Sequence, residues 1–238
     1  MRRIGLALAA VLVAWVALAA HPQPLFAHSA HVRNVVLHAR DPLPPETGPL
    51  LDDVVGRITR SPLYDRGRTY HVFLCDTPAL FGLFALWDRN VGAISQVHLG
   101  GNVFIRPASI AHNRVMRRSG ADTPGERTLA YFIAHEIAHT MTADHVGRWR
   151  YFNLAAFQQE GYADYIAFAG RKIDYAGWAA ALAAGTPEMV PKLSGLYRRH
   201  ELLVSYLLDR LGVTVDELLA RPLQQAAVER ELLAHTGP

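Results

Sequence analysis

A single cysteine, Cys75, stands in a chain of 238 residues, so no intramolecular disulfide can form and stability must come from packing. Cys75 ends the β-rich run Tyr70-His71-Val72-Phe73-Leu74-Cys75, which predicts a buried, inert thiol rather than a nucleophile. Charge is scarce as well. Charged residues make up 19% of the chain, and 24 basic against 21 acidic side chains leave a net charge of +3, which excludes a strongly basic nucleic-acid binder. Lysine is confined to Lys172 and Lys192, so the pI near 9.2 rests on arginine and on slight excess. Internal repeats are absent, and an alanine-rich stretch at 176–184 is the nearest approach to low complexity. After residue 20 no long apolar run recurs, which excludes a polytopic membrane protein. What is abundant is apolar surface, at 50% of residues, and histidine, at 12. That apolar fraction excludes a disordered chain, and the length allows one or at most two domains.

Much of the apolar excess lies at one end. Arg2 and Arg3 precede a charge-free run from Ile4 to Ala20. Residues 1–20 therefore read as a signal peptide or an N-terminal membrane anchor. Ala17-Leu18-Ala19 supplies a cleavage signature and Leu25-Phe26-Ala27 a poorer one. The run of 17 residues also sits at the short limit for a span, so contact with a membrane through residues 4–20 is a second use. Both uses predict export, with the remainder on the periplasmic or extracellular face, secreted or anchored. Residues 21–49, with prolines at 22, 24, 42, 44 and 45, read as a Pro-rich tether. Residues 50–238 read as one domain of the α+β class. A helix is expected near Leu50–Ile58 and a strand over Thr69–Cys75. Two more strands, Gly92–His98 and Val103–Arg106, flank Gly100-Gly101-Asn102, and the chain reads as mostly helical from Thr123 onward.

Thr123-Pro124-Gly125-Glu126 predicts a helix start, with Thr123 as cap, Pro124 in the first turn and Glu126 closing a capping box. The residues that follow are apolar nearly all round, which predicts a buried helix. Within it stands His135-Glu136-Ile137-Ala138-His139, an H-E-x-x-H sequence. Four residues turn a helix by about 400°, so both imidazoles point the same way, one turn apart, as two ligands of one tetrahedral zinc must. Glu136 is displaced by about 100° from His135 and can approach a metal-bound water without ligating the metal, as a general base must. A chain of this composition would contain the pattern by chance roughly 0.02 times. Two core histidines satisfied by hydrogen bonds are the plainer alternative.

A third ligand is required. Asn153–Phe168 reads as a second helix, ending near Gly170, and carries Glu160-Gly161-Tyr162-Ala163-Asp164. Glu160 follows His139 by 21 residues, enough for a connection and an antiparallel return. A carboxylate there completes a His-His-Glu site with an open fourth position. Asp164, one turn on, is placed to hydrogen-bond a ligand imidazole.

These two segments together resemble the gluzincins, the zinc metallopeptidases that include thermolysin-like and aminopeptidase-like enzymes. The resemblance covers roughly residues 123–212. It implies zinc, one per chain, held by His135, His139 and Glu160, with Asp164 behind the ligands and Glu136 as general base. It further implies a small N-terminal β-sheet with an exposed edge strand, packed on a zincin-type helical C-terminal half, with zinc between them. Tyr197 through Gly212 is similar to a downstream helix of the aminopeptidase-like branch, where a tyrosine hydroxyl stabilises the oxyanion. Tyr197 matches that tyrosine, while His200 stands where a glycine is usual. His200 and His145 are the fallback electrophiles. Gly92-Ala93-Ile94-Ser95-Gln96 is loosely similar to the element that holds a free amino end in aminopeptidases, but Ser95 replaces its glutamate.

The expected function is a zinc-dependent peptidase acting on a peptide or protein substrate outside the cytoplasm. The alternatives are an inactive zinc-binding scaffold or peptide-binding protein of the same fold, and a metal-free helical domain. His21, His28, His31 and His38 fall in the tether and read as solvated. His71, His98 and His112 show no partner in the sequence, and His235 lies near the C terminus.

Overall fold

The computed structural model describes residues 2–86, 89–117, 120–122 and 125–236, and all structural statements refer to these. The protein is α+β, with a sheet in its N-terminal half and helices in its C-terminal half. Internal contacts divide the chain into two compact units, residues 1–55 with 65–140, and residues 56–64 with 141–238. The first of these units reaches back to the N terminus.

The first unit begins with α1 (Arg2–Ala20), followed by β1 (His28–Val32) and β2 (Val35–Ala39). Then come α2 (Thr47–Ile58), which runs past the unit's bound, β3 (Tyr70–Leu74), α3 (Pro78–Ala85), β4 (Ala93–Gln96) and β5 (Asn102–Ile105). The short strands β6 (Ala108–Ser109) and β7 (Arg114–Val115) precede α4 (Leu129–Val146), which also extends beyond this unit. The main sheet has the order β1-β2-β3-β5-β4. Its three inner strands are parallel and its two edge strands antiparallel to their neighbours. Parallel neighbours need crossovers, which α2 and α3 supply, and parallel strands are buried on both faces. Phe73 and Phe104 stack across β3 and β5 at 5.2 Å between centroids, and Phe84 of α3 stacks on Phe104 at 4.0 Å. Phe26, Cys75, Phe81, Ala85 and Ala19 of α1 complete this cluster. Burial pushes the Cys75 thiol up to about 12, with the nearby Asp76 adding to the effect, so this cysteine is the inert one expected. Alternate residues on the other face, Leu37, Val72 and Val103 in one register row, are also buried.

The strands β1 and β2 overturn the tether expected over 21–49. All five prolines of that stretch lie outside 28–39, and the residues between them pair with the sheet. A two-residue turn, Arg33-Asn34, joins the strands, with Arg33 at φ 51°. Asn34 holds the turn by donating from Nδ2 to the carbonyls of Asp65 (3.0 Å) and Arg68 (2.6 Å). The later strands lie where expected, although a single helical turn, Val97–Leu99, follows β4. Among the described residues no helix is long and apolar enough to cross a membrane.

In the second unit, α5 (Arg148–Asn153) precedes α6 (Ala156–Ala167), which is the helix expected over 153–168 and begins three residues later. They are followed by α7 (Tyr175–Ala183), α8 (Pro191–Ser194), α9 (Arg198–Ser205), α10 (Val215–Leu219) and α11 (Gln225–Thr236), with a wide π-helical turn at Tyr206–Arg210 extending α9. Three devices hold this unit. Gly161 on α6 lets α9 approach so closely that a Cβ there would stand 2.4 Å from the His200 carbonyl oxygen. Gln158 is fully buried. It donates to the Leu218 and Arg221 carbonyls and accepts from the Ala155 and Leu223 amides, so its amide is used at both ends. Arg199 on α9 grips Glu229 on α11 through two 2.7 Å bonds, which holds the Glu229 carboxyl low despite its burial.

Candidate metal centre

The helix that carries the first motif starts later than its sequence suggests. Leu129 is the first residue of α4; Gly125 and Glu126 precede it as a bend, and Thr123 and Pro124 lie outside the described residues. The local reason is a nearer set of acceptors. Asn113 takes the Leu129 amide on its backbone carbonyl (3.0 Å) and the Ala130 amide on its side-chain oxygen (2.9 Å). Thr128 Oγ1 takes the Tyr131 amide at 3.1 Å. Three of the four orphan donors of the first turn are thereby satisfied.

From that fixed start, His135 and His139 fall one turn apart and are both buried, as is Glu136 between them. Their Nε2 atoms face each other at 3.1 Å, with the rings nearly perpendicular at 86°. A tetrahedral metal with bonds of about 2.0–2.1 Å separates two ligand nitrogens by about 3.3 Å. The pair therefore already has the bite of a chelate. Glu160, half-buried on α6, supplies the third group. One ligand atom from each of His135, His139 and Glu160 lies within 4.8 Å of the others, an arrangement that could hold a metal ion. Two imidazoles and a carboxylate suit zinc and other borderline divalent cations.

Behind His135, the Tyr131 hydroxyl lies 3.5 Å from Nδ1, the nitrogen turned away from the pair. This partner escaped the motif-based prediction. Its signal is the same four-residue spacing that relates the two histidines, carried one turn further back. Thr140, immediately after His139, donates to the Gly101 carbonyl at 3.2 Å. A Cβ on Gly101 would meet the Thr140 methyl at 2.4 Å, so the Gly100-Gly101 turn, at positive φ, lies tightly against α4.

The remaining candidates separate. Asp164 is buried on α6. Burial pushes the His200 imidazole below its usual range, and the Glu160 and Asp164 carboxylates oppose that shift, which places His200 within their field. His200 Nδ1 is buried without a hydrogen-bond partner. Tyr197 caps the start of α9, and its ring stacks on His200 with centroids 5.6 Å apart and planes 13° apart. His145 is not brought to the group. It lies in the last turn of α4 and pairs with Asp216 at 2.8 Å, partly exposed. Ser95 sits in the edge strand β4, opposite Val103.

Comparison with known proteins gives no match, whether with protein-family models, curated proteins or solved structures. The functional assignment therefore rests on the residues and their geometry.

Proposed function

We propose that this protein is a zinc-dependent peptidase whose metal is held by His135, His139 and Glu160. The observation that carries the proposal is the convergence of these three donors, two of them at chelating separation, beside a buried glutamate that is not among them. When bound, zinc supplies Lewis-acid polarisation of a carbonyl and lowers the pKa of a water to about 7. The chain's own residues do the rest. Glu136 accepts the proton of the attacking water and delivers it to the leaving amine. The Tyr131 hydroxyl behind His135 favours the tautomer whose Nε2 lone pair faces the metal, and Asp164 serves the ligand shell in the same sense. Tyr197 donates to the developing oxyanion, with His200, stacked against it, as the alternative donor.

The departures at Ser95 and His200 favour one competing reading, a protein that keeps zinc and binds peptides without cutting them. Metal analysis of untagged protein, paired with cleavage of a broad peptide library, separates the two. The peptidase reading expects about one zinc per chain and cleavage. Glu136→Gln should keep the metal and lose at least about 1,000-fold in turnover, since it removes the base and leaves every ligand in place. Full activity in that variant would end the mechanism. Zinc without cleavage in the unaltered chain would favour the binding protein.

A further inference from the structure

The sequence offers two uses for residues 1–20, a removed leader or a retained anchor. The packing of α1 separates them. Its C-terminal end is built into the first unit. Ala19 is fully buried, and Trp15 and Leu18 lie against the cluster formed by Phe73, Phe81, Phe84 and Phe104. The Trp15 indole donates to the Leu83 carbonyl at 2.8 Å. Asn102, itself 94% buried, donates from Nδ2 to the carbonyls of Ala19 and Ala20 at 3.0 Å each. These are two of the carbonyls that a helix C terminus leaves without partners. Cleavage after Ala17-Leu18-Ala19 would take away Ala19, one of those acceptors, and strip Trp15 and Leu18 from the aromatic cluster. A domain meant to lose α1 has no reason to aim a buried amide at its end.

The other end of α1 has the opposite character. Every residue from Ile4 to Ala14 is exposed. Ile4, Leu6, Leu8, Val11, Leu12 and Val13 are between 60% and 72% exposed. At about 100° per residue they fall on opposite sides of the helix, so they form no single stripe. A protein groove or a second copy of the chain would cover one side and leave the other in water. Lipid hydrocarbon covers all sides. The two arginines that precede Ile4 in the sequence add positive charge that complements anionic headgroups. We infer that α1 is retained in the working protein and that Ile4–Ala14 is immersed in the lipid of a bilayer, while Trp15–Ala20 fastens it to the sheet. The exposed stretch is about 16 Å long at about 1.5 Å per residue, against about 30 Å of hydrocarbon, so immersion requires no crossing. This inference does not depend on the peptidase proposal.

Flotation of the full chain with phosphatidylcholine–phosphatidylglycerol vesicles tests it. The chain should float and should remain bound in 1 M NaCl, where attraction to headgroups alone is screened. The triple variant Leu6→Asn, Leu8→Asn, Leu12→Asn should keep its thermal transition, because these side chains are 60–72% exposed and lie outside the buried cluster, and should lose at least about 100-fold in partition. Equal flotation of variant and parent would overturn immersion. The intact mass of the chain recovered from cell membranes should include α1, and a mass short by residues 1–19 would overturn retention.

Discussion

Two histidine pairs lie among the described residues, and they differ in geometry. His38 and His71 sit on the neighbouring parallel strands β2 and β3, with Nε2 of one 2.9 Å from Nδ1 of the other. His38 stacks on Phe73 at 4.6 Å, and among the described residues no carboxylate joins the pair to make a metal-holding group. Burial, with the neighbouring His71, pushes His38 down to about 4, and burial and Arg68 lower His71. Both shifts favour the neutral rings, and one nitrogen of each is hydrogen-bonded to the other. His135 and His139 meet at the same range but through two Nε2 atoms, with a carboxylate within 4.8 Å. Proximity alone does not distinguish a structural pair from a chelating one. The two pairs differ in which nitrogens face and in whether a carboxylate lies beside them.

Substitution should separate the pairs most sharply. His135→Ala removes one of three donors, and zinc affinity should fall by more than about 100-fold in a competition titration with a chelator. His38→Ala should leave metal content unchanged and cost about 1–3 kcal/mol in denaturant unfolding, because it opens a cavity on Phe73 and orphans His71. Metal loss in both variants would break the distinction. A smaller effect is expected from Gly161→Ala, whose Cβ would stand 2.4 Å from the His200 carbonyl oxygen and 2.7 Å from the Val204 side chain. Forcing α9 away from α6 should cost about 1–3 kcal/mol, and zinc affinity should weaken because Glu160 is the adjacent residue. Unchanged stability and affinity would show that α6 needs no close crossing to set its carboxylate.

A further effect concerns pH. His38 has a folded pKa of about 4 against an ordinary value of 6.5, so between these values the unfolded chain binds more protons than the folded one. Stability from this group is complete above pH 6.5 and declines as pH falls toward 4. Metal-free protein should lose thermal stability over that window, and His38→Gln should flatten the slope. An equal slope in both proteins would mean that the strand pair is not the titrating element.

The helix with the H-E-x-x-H pattern was legible because ionisable groups on an otherwise apolar helix are costly unless paired, and three at that spacing suggest a joint role. Glu160 followed from the need for a third donor one helix later. The other histidine pair was not legible, since His38 and His71 are 33 residues apart and only the parallel pairing of β2 and β3 brings them together. The hairpin that carries His38 was hidden for a different reason. Its turn is Arg33-Asn34, where a glycine or a second asparagine would have advertised the positive φ, and the prolines around it drew attention to the flanks. The start of α4 was misplaced because a cap set by Asn113 comes from a distant loop, whereas Thr123-Pro124 offered a local signal.

The bond from Asn102 to Ala19 spans 83 positions of the chain. During synthesis at about 5–20 residues per second, the partner of α1 follows it by about 4–17 seconds. Over that interval the helix has no sheet to rest on. If α1 is immersed as inferred above, its oily surface would meet lipid before the sheet that holds its other end exists. The order is set by the separation along the chain, so the sheet that receives Ala19 is completed only after α1 has been made.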